Sequence, residues 1–420
     1  MEIKTTEPWD SISSAEYRQW ANEYSTPYYL YDADNIIDRV KLIRKLFDDQ
    51  VKVFYAVKAN PNLELLRSVR DDVDGLDISS VGELEQACLA EFDAGVMSFA
   101  GPAKTTSELE TSISNGVGCI SIESSRELLD CVAISKRSNN KANILIRINP
   151  QFLNRAFGMK MGGKAVQFGI DEENLDEIIS LVKDNSECLN FKGIHIYAGS
   201  QCFDTTGVVE GVENTLRIAE LIESKYGLLC KTINLGGGFG VSHTKPNQEL
   251  DINQLAFELL PIIKKYRTAR NFEPEILFEL GRYLTANAGL YVTQVISSKE
   301  SRGKSFYMVD GGLHHHLAAA GTFGSALRSN FIIQNLTNRM ASKIKCSLAG
   351  PSCNPTDLLA INVELPKPEL ADLVGVLKSG SYGLTASPIL FLGRRTPAEL
   401  VRKNGKVKLG RQVRSITDFN

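Results

Sequence analysis

FKGIHIYAGSQCFDTTGVVEGVENTLRIAELIESKYGLLCKTINLGGG, residues 191–238, reads as one strand–helix–strand unit. The β-branched run 191–199 gives way to a stretch of helical period (211–227), and a second short strand (231–238) runs straight into glycines. The same alternation repeats on both sides. Further candidate strands are VKVFYAVKA (51–59), GLDISS (75–80), VMSFAG (96–101), GCISIES (118–124), NILIRIN (143–149) and EILFELG (275–281), with helix-like segments such as 81–92 and 106–116 between them. Eight such units predict an α/β chain built on a (β/α)₈ TIM barrel, whose reactive groups lie at the C-terminal ends of the strands. Beyond residue 285 strand-like runs follow one another directly (GLYVTQVISS, KSFYMVDGG, KIKCSLAG, LLAINVEL, LVGVLKSG), which predicts a C-terminal β domain. TPYYLYD (26–32) is expected to join it as an extra strand. The expected division is therefore a barrel over 35–285, with 1–34 and 286–420 forming a β-rich domain that completes the active site.

The 420 residues suffice for two or three domains at roughly 150 residues each. At 43% hydrophobic and 23% charged residues the composition is that of a folded globular chain, not a disordered or fibrous one. Lys+Arg 47 against Asp+Glu 50 leaves no basic excess for nucleic acid and no polybasic run for a membrane surface. No apolar run approaches the roughly 18–20 residues of a membrane helix, and MEIKTTEPWDSISSAEYRQW lacks a signal-peptide core, so a cytoplasmic location is expected. The eight cysteines lack zinc-type spacing and are expected to be reduced thiols, most of them in the core. Cys353 is the exception, set among turn formers.

Three features carry chemistry. Lys58 closes the first strand: either it reaches solvent, as strand-end lysines do, or it is a desolvated amine able to form a Schiff base with an aldehyde cofactor. Gly236-Gly237-Gly238-Phe239-Gly240 follows the seventh strand. Such a run is a tight turn or, at this position in a barrel, a phosphate cradle of backbone N–H groups. Glu279 ends the eighth strand, where it either pairs with an arginine or keeps the ring nitrogen of pyridoxal phosphate protonated.

YAVKAN (55–60), GLDISSVGELEQA (75–87), GIHIYAGSQ (193–201), INLGGGFG (233–240), ELGRYL (279–284), GPSCNPTD (350–357) and GSYG (380–383) occur in this order. With them the chain resembles the fold-type III pyridoxal-phosphate decarboxylases, the alanine-racemase-like barrel family that includes diaminopimelate, ornithine and arginine decarboxylases. The resemblance implies pyridoxal 5'-phosphate as cofactor, Lys58 as the lysine that carries it, and Glu279 as the partner of its ring nitrogen. It also implies Ser200, Gly237, Gly238, Gly281, Arg282 and Tyr382 around its phosphate. Cys353 looks like the acid that reprotonates the product carbon, contributed by the other subunit of a homodimer with shared active sites.

Departures from the family pattern narrow the substrate. Tyr197 stands where close relatives have histidine, while His195 matches an earlier histidine of the motif; tyrosine can stack on the cofactor but cannot carry an imidazolium charge. Asn354 replaces the acidic residue that diamine-forming relatives place after the cysteine, and a buried ammonium without a carboxylate is costly. LHHHLAAAGTFG (313–324) replaces the arginine-bearing pattern of diaminopimelate decarboxylases. Three successive histidines on a strand would alternate faces, so no metal site is expected, and one or two of them should face the active-site mouth. Asn354 and Arg328 are the substrate-side candidates. These features are similar to a subgroup that decarboxylates amino acids loaded on acyl or peptidyl carrier proteins, such as the L-glutamyl-carrier-protein decarboxylase of butirosin (antibiotic) biosynthesis. A diaminopimelate-type decarboxylase of a free amino acid and a catalytically inactive regulatory relative are the rival readings; a racemase is disfavoured because those of this fold place arginine at the ring nitrogen.

Overall fold

The computed structural model describes residues 8–151, 156–320 and 329–420. Eight parallel strands close a barrel: Lys52–Ala56, Gly75–Ile78, Met97–Phe99, Cys119–Ile122, Ala142–Asn149, Leu189–His195, Thr232–Asn234 and Glu275–Leu280. Neighbours in sequence are neighbours in the sheet, and the eighth pairs with the first through Leu277↔Lys52 to Leu280↔Tyr55. All eight expected strands are present, trimmed by one to four residues at most ends. Helices start where the sequence supplies caps: Ser80, Thr105 and Ser124 each accept the backbone N–H three residues on, and Asp251 accepts those of Asn253 and Gln254. Gly227, at φ +67, stops the long helix Thr205–Tyr226.

One unit departs from the expected repeat. Only Arg282–Thr285 follows the eighth strand as a helix. The outer position is taken instead by Ala33–Leu46, which precedes the first strand and packs against both Leu63–Val69 and Ile252–Thr268. Its buried face, Ile36, Ile37, Val40 and Ile43, has the i, i+4, i+7 spacing of an amphipathic helix.

A second, nine-stranded sheet accounts for the strand runs after residue 285. Tyr28–Asp32 lies within it, antiparallel to Gly289–Ser301 and parallel to Ala398–Lys403. Burial of all five residues of Tyr28–Asp32 explains why its sequence shows no polar alternation. This sheet reaches the barrel mouth through 378–383: Tyr382 N–H donates to the Ala59 carbonyl (2.8 Å), and Asn60 Nδ2 to the Gly380 carbonyl (3.0 Å).

Two expectations need correction. His314, His315 and His316 lie in a turn, not on a strand, and all three are buried, none of them lining the cavity at the barrel mouth. His315 bonds Tyr291 Oη and the Arg395 carbonyl, and His316 bonds Ser379 Oγ, while both ring nitrogens of His314 are buried without a partner among the described residues. Of the eight cysteines only Cys131, Cys202, Cys230 and Cys346 are buried; Cys119 and Cys188 are half-buried, and Cys88 and Cys353 are exposed. Among the described residues no helix is long and apolar enough to cross a membrane, and no three metal-ligating side chains cluster.

Candidate active site

The C-terminal ends of the barrel strands open into a cavity of about 980 Å³. Lys58 enters it from the turn Val57–Ala59, one step past the first strand rather than within it. Its Nζ is ion-paired with Asp77 Oδ2 at the end of the second strand. Burial works against the charged amine, but Asp77 and Glu279 together outweigh it and raise its pKa. Asp77 is itself pushed up, by burial first and then by the nearby Glu279 charge.

Glu279 is 5% exposed at the end of the eighth strand. Asn234 Nδ2 donates to its Oε1 at 2.5 Å, and His195 Nε2 stands 3.4 Å from its Oε2. His195 Nδ1 lies 2.9 Å from Ser121 Oγ. Burial, with Arg147 adding repulsion, drives the His195 pKa well down, so the ring is neutral. The floor is thus a carboxylate held by Asn234 from the adjacent seventh strand, with the His195 ring close by. His195 Nε2 and Asp77 Oδ1 are buried without a hydrogen-bond partner among the described residues, an arrangement open to a further polar group.

The glycine loop forms one wall. Gly238 has φ +86, and a Cβ there would stand 1.9 Å from the Gly199 carbonyl oxygen, so only glycine fits. The Gly238 carbonyl accepts from Cys202 N–H at 2.9 Å, tying the loop to Gly199–Cys202, which carries Ser200. Gly237 does not line the cavity: a Cβ there would lie 2.0 Å from the Glu279 carbonyl oxygen, so its smallness lets the loop pack on the eighth strand. Arg282 lies 4.7 Å from the centroid of the Tyr382 ring, and Nη1 donates to His243 Nε2 at 2.7 Å. Tyr197 lines the cavity with its phenol pushed up to about 12 by burial.

Lys58, His195, Tyr197, Ser200, Gly238, Glu279, Gly281, Arg282 and Tyr382 therefore share one cavity. Cys353 and Asn354 do not line it in their own chain. Cys353 is exposed on a loop anchored by Asp357, whose carboxylate accepts from the N–H groups of Leu313 and Ser352. Asn354 Oδ1 accepts from Thr356 N–H and Oγ1, both at 2.9 Å, shaping that loop. Arg328 lies outside the described residues. Sequence reading missed Asp77, Arg147, Asn234 and His243. A charged residue inside an apolar strand run, Asp77 in GLDIS and Arg147 in NILIRIN, was the available signal; His243 follows the glycine loop with no pattern to mark it.

Residues 33–286 match the family model described as pyridoxal-dependent decarboxylase, pyridoxal binding domain. The chain is 37% identical over 414 residues to an L-glutamyl-[BtrI acyl-carrier protein] decarboxylase of Niallia circulans, covering 97% of this chain and 96% of that one. It is 30% identical over 381 residues to a diaminopimelate decarboxylase of Bacillus methanolicus, covering 89% and 87%. Among solved structures, diaminopimelate decarboxylase from Helicobacter pylori complexed with L-lysine matches with a TM-score of 0.85 at 26% identity, over 96% of this chain and 98% of that one.

Proposed function

The chain belongs to the pyridoxal-dependent decarboxylases, and from that premise we propose that it decarboxylates an amino acid tethered to a carrier protein, with glutamate held as a side-chain thioester the leading candidate. The observation that carries this reading is the charge inventory of the cavity. Among the described residues its only carboxylates are Asp77 and Glu279, the first paired with Lys58 and the second held by Asn234. Arg147 is likewise paired, with Glu123 at 2.7 Å. Among the described residues, then, the acids of the cavity are already spoken for by Lys58 and Asn234 and none is set aside for a distal ammonium, whereas a neutral thioester asks for no counter-charge. The 37% identity to a glutamyl-carrier-protein decarboxylase, over almost the whole of both chains, points the same way. The reaction would then serve a secondary-metabolite pathway such as antibiotic biosynthesis.

The residues fit pyridoxal phosphate. The Gly238 cradle and the Arg282 guanidinium suit a phosphate, and the fixed Glu279 carboxylate suits a protonated ring nitrogen. When bound, the cofactor supplies an electron sink for the pair left behind as CO₂ departs. Lys58 would hold the cofactor and return to it after turnover. Glu279, oriented by Asn234, would hold the proton on the ring nitrogen. Ser200, Gly238, Gly281, Arg282 and Tyr382 would grip the phosphate end, with Gly237 setting the loop's position, and the Tyr197 ring would cover one face. Cys353 would deliver the proton to the substrate Cα from the other subunit of a homodimer, since in its own chain it faces solvent. Asn354 and Arg328 would lie on the substrate side.

The test is a panel of rates for the holoenzyme on the γ-glutamyl thioester of pantetheine against free glutamate, lysine, ornithine and diaminopimelate. The thioester should be preferred by at least tenfold. Efficient turnover of free diaminopimelate with an inert thioester would move the chain to the free-substrate reading.

A further inference from the structure

Resting on the assignment of Arg282 to the cofactor's phosphate end, we infer that His243 is a positioning residue that fixes the Arg282 guanidinium, and that the buried Lys378 fixes His243 in turn. His243 bridges two groups. Its Nε2 accepts from Arg282 Nη1 at 2.7 Å, and its Nδ1 lies 3.1 Å from the Lys378 carbonyl oxygen. A carbonyl only accepts, so the proton sits on Nδ1 and the Nε2 lone pair faces the guanidinium; one neutral tautomer satisfies both partners. Burial, with Arg282 alongside, pushes the imidazole pKa down to about 3, in keeping with that neutral form. The ring also stacks on Phe331, with centroids 4.6 Å apart and planes 20° from parallel.

Lys378 is 1% exposed. Its Nζ donates to the carbonyls of Ser242 (2.8 Å), Lys245 (3.1 Å) and Pro246 (2.7 Å), binding the loop on either side of His243 to the second sheet. An ammonium satisfied by three carbonyls is an anchor for a loop that carries no regular structure of its own. Arg282 is thereby held between the Tyr382 ring and the His243 imidazole. A long, flexible cation is confined to one place before the phosphate arrives, which lowers the ordering cost of binding.

The experiment compares wild-type holoenzyme with His243→Phe, His243→Gln, Arg282→Met and the double variant His243→Phe/Arg282→Met. It reads the dissociation constant for pyridoxal phosphate from its bound absorbance, and the melting temperature of the cofactor-free protein. Phenylalanine keeps the stack on Phe331 and loses both hydrogen bonds; glutamine offers Arg282 an acceptor and the Lys378 carbonyl a donor. His243→Phe should weaken cofactor binding roughly tenfold, the scale of one charge-assisted hydrogen bond, with little change in melting temperature. His243→Gln should recover to within about threefold of wild type. The double variant should bind no more weakly than Arg282→Met, because His243 acts through Arg282. If His243→Phe does not fold, His243→Leu takes its place. Wild-type affinity in the hydrogen-bond-deficient variant, failure of His243→Gln to recover, or additive losses would each overturn the inference. Wild-type affinity in Arg282→Met would instead remove the assignment of Arg282 on which it rests.

Discussion

Gly238→Ala should loosen the cofactor site far more than it loosens the fold, and a second glycine provides the control. Gly227 has φ +67 with nothing within 4 Å of where a Cβ would stand, so Gly227→Ala adds only backbone strain, about 1–2 kcal/mol. Gly238, at φ +86, carries the same strain, but its added methyl would also meet the Gly199 carbonyl oxygen at 1.9 Å. Relieving that overlap requires the glycine loop and Gly199–Cys202 to part by roughly 1 Å, at an overpacking cost of about 1–3 kcal/mol. With unfolding entropy near 2 cal/mol/K per residue, 1 kcal/mol corresponds to about 1 °C for a chain of this length. Gly227→Ala should therefore melt about 1–2 °C low and Gly238→Ala about 2–5 °C low. Ser200 rides on the displaced strand, so Gly238→Ala should also lose at least tenfold in affinity for pyridoxal phosphate while Gly227→Ala keeps wild-type affinity. Calorimetry and a cofactor titration measure both. Equal behaviour of the two variants would refute the account of the loop as a phosphate cradle closed against Gly199.

Lys58→Ala should abolish the adduct fixed by borohydride, and peptide mapping that found the reduced cofactor on another lysine in the wild-type enzyme would contradict the assignment. Mixed subunits of inactive Lys58→Ala and inactive Cys353→Ala should regain part of the activity if Cys353 serves the neighbouring site; proven subunit exchange without recovery would count against a shared site. Asn354→Asp should shift preference toward a free diamine precursor by roughly ten- to a hundredfold, the worth of a charged hydrogen bond of about 1.5–3 kcal/mol, as read from kcat/KM ratios. Acid should destabilise the protein below pH 6.5. Burial holds all five imidazoles below their ordinary pKa in the folded chain, His314 at about 4 and His243, His315 and His316 at about 3, so the unfolded state binds the protons that the native state refuses. Asp77 and Glu83, raised by burial to about 7, and Asp32 and Glu127, also raised by burial, act in the opposite sense. The net of about one to three protons gives roughly 1–4 kcal/mol per pH unit near pH 5, measurable as a falling urea midpoint; a flat profile from 6.5 to 5 would contradict it.

The barrel was legible because a parallel strand and its covering helix have different apolar periods, and Gly236–Gly240 and Glu279 mark the ends of two strands. What escaped had weaker local signals. Ala33–Leu46 serves as an outer helix ahead of the first strand, a swap that periodicity alone does not reveal. Ile333–Asn335 and Ala398–Lys403 join the second sheet through long-range pairing, whereas Lys406–Arg411 closes a local hairpin on Ala398–Lys403 around Asn404-Gly405, the one missed element with a clear turn signal. The site's outline followed from Lys58, the glycines and Glu279, but its supporting contacts did not. Asn234 and Asp77 acquire their roles from side chains 45 and 19 residues away, and His243 from a lysine 135 residues away. The triple histidine misled because a strand was assumed where a buried turn exists, and three histidines in a turn can all be buried at once.

Internal competition decides whether the substrate has a neutral, carrier-linked distal end: holoenzyme, γ-glutamyl carrier protein and free diaminopimelate are combined in one tube, with both followed by mass spectrometry for loss of CO₂. The carrier should lose the mass of one CO₂ while diaminopimelate persists. Consumption of diaminopimelate with kcat/KM on the order of 10⁴ M⁻¹s⁻¹ or above, beside an unchanged carrier, would contradict it.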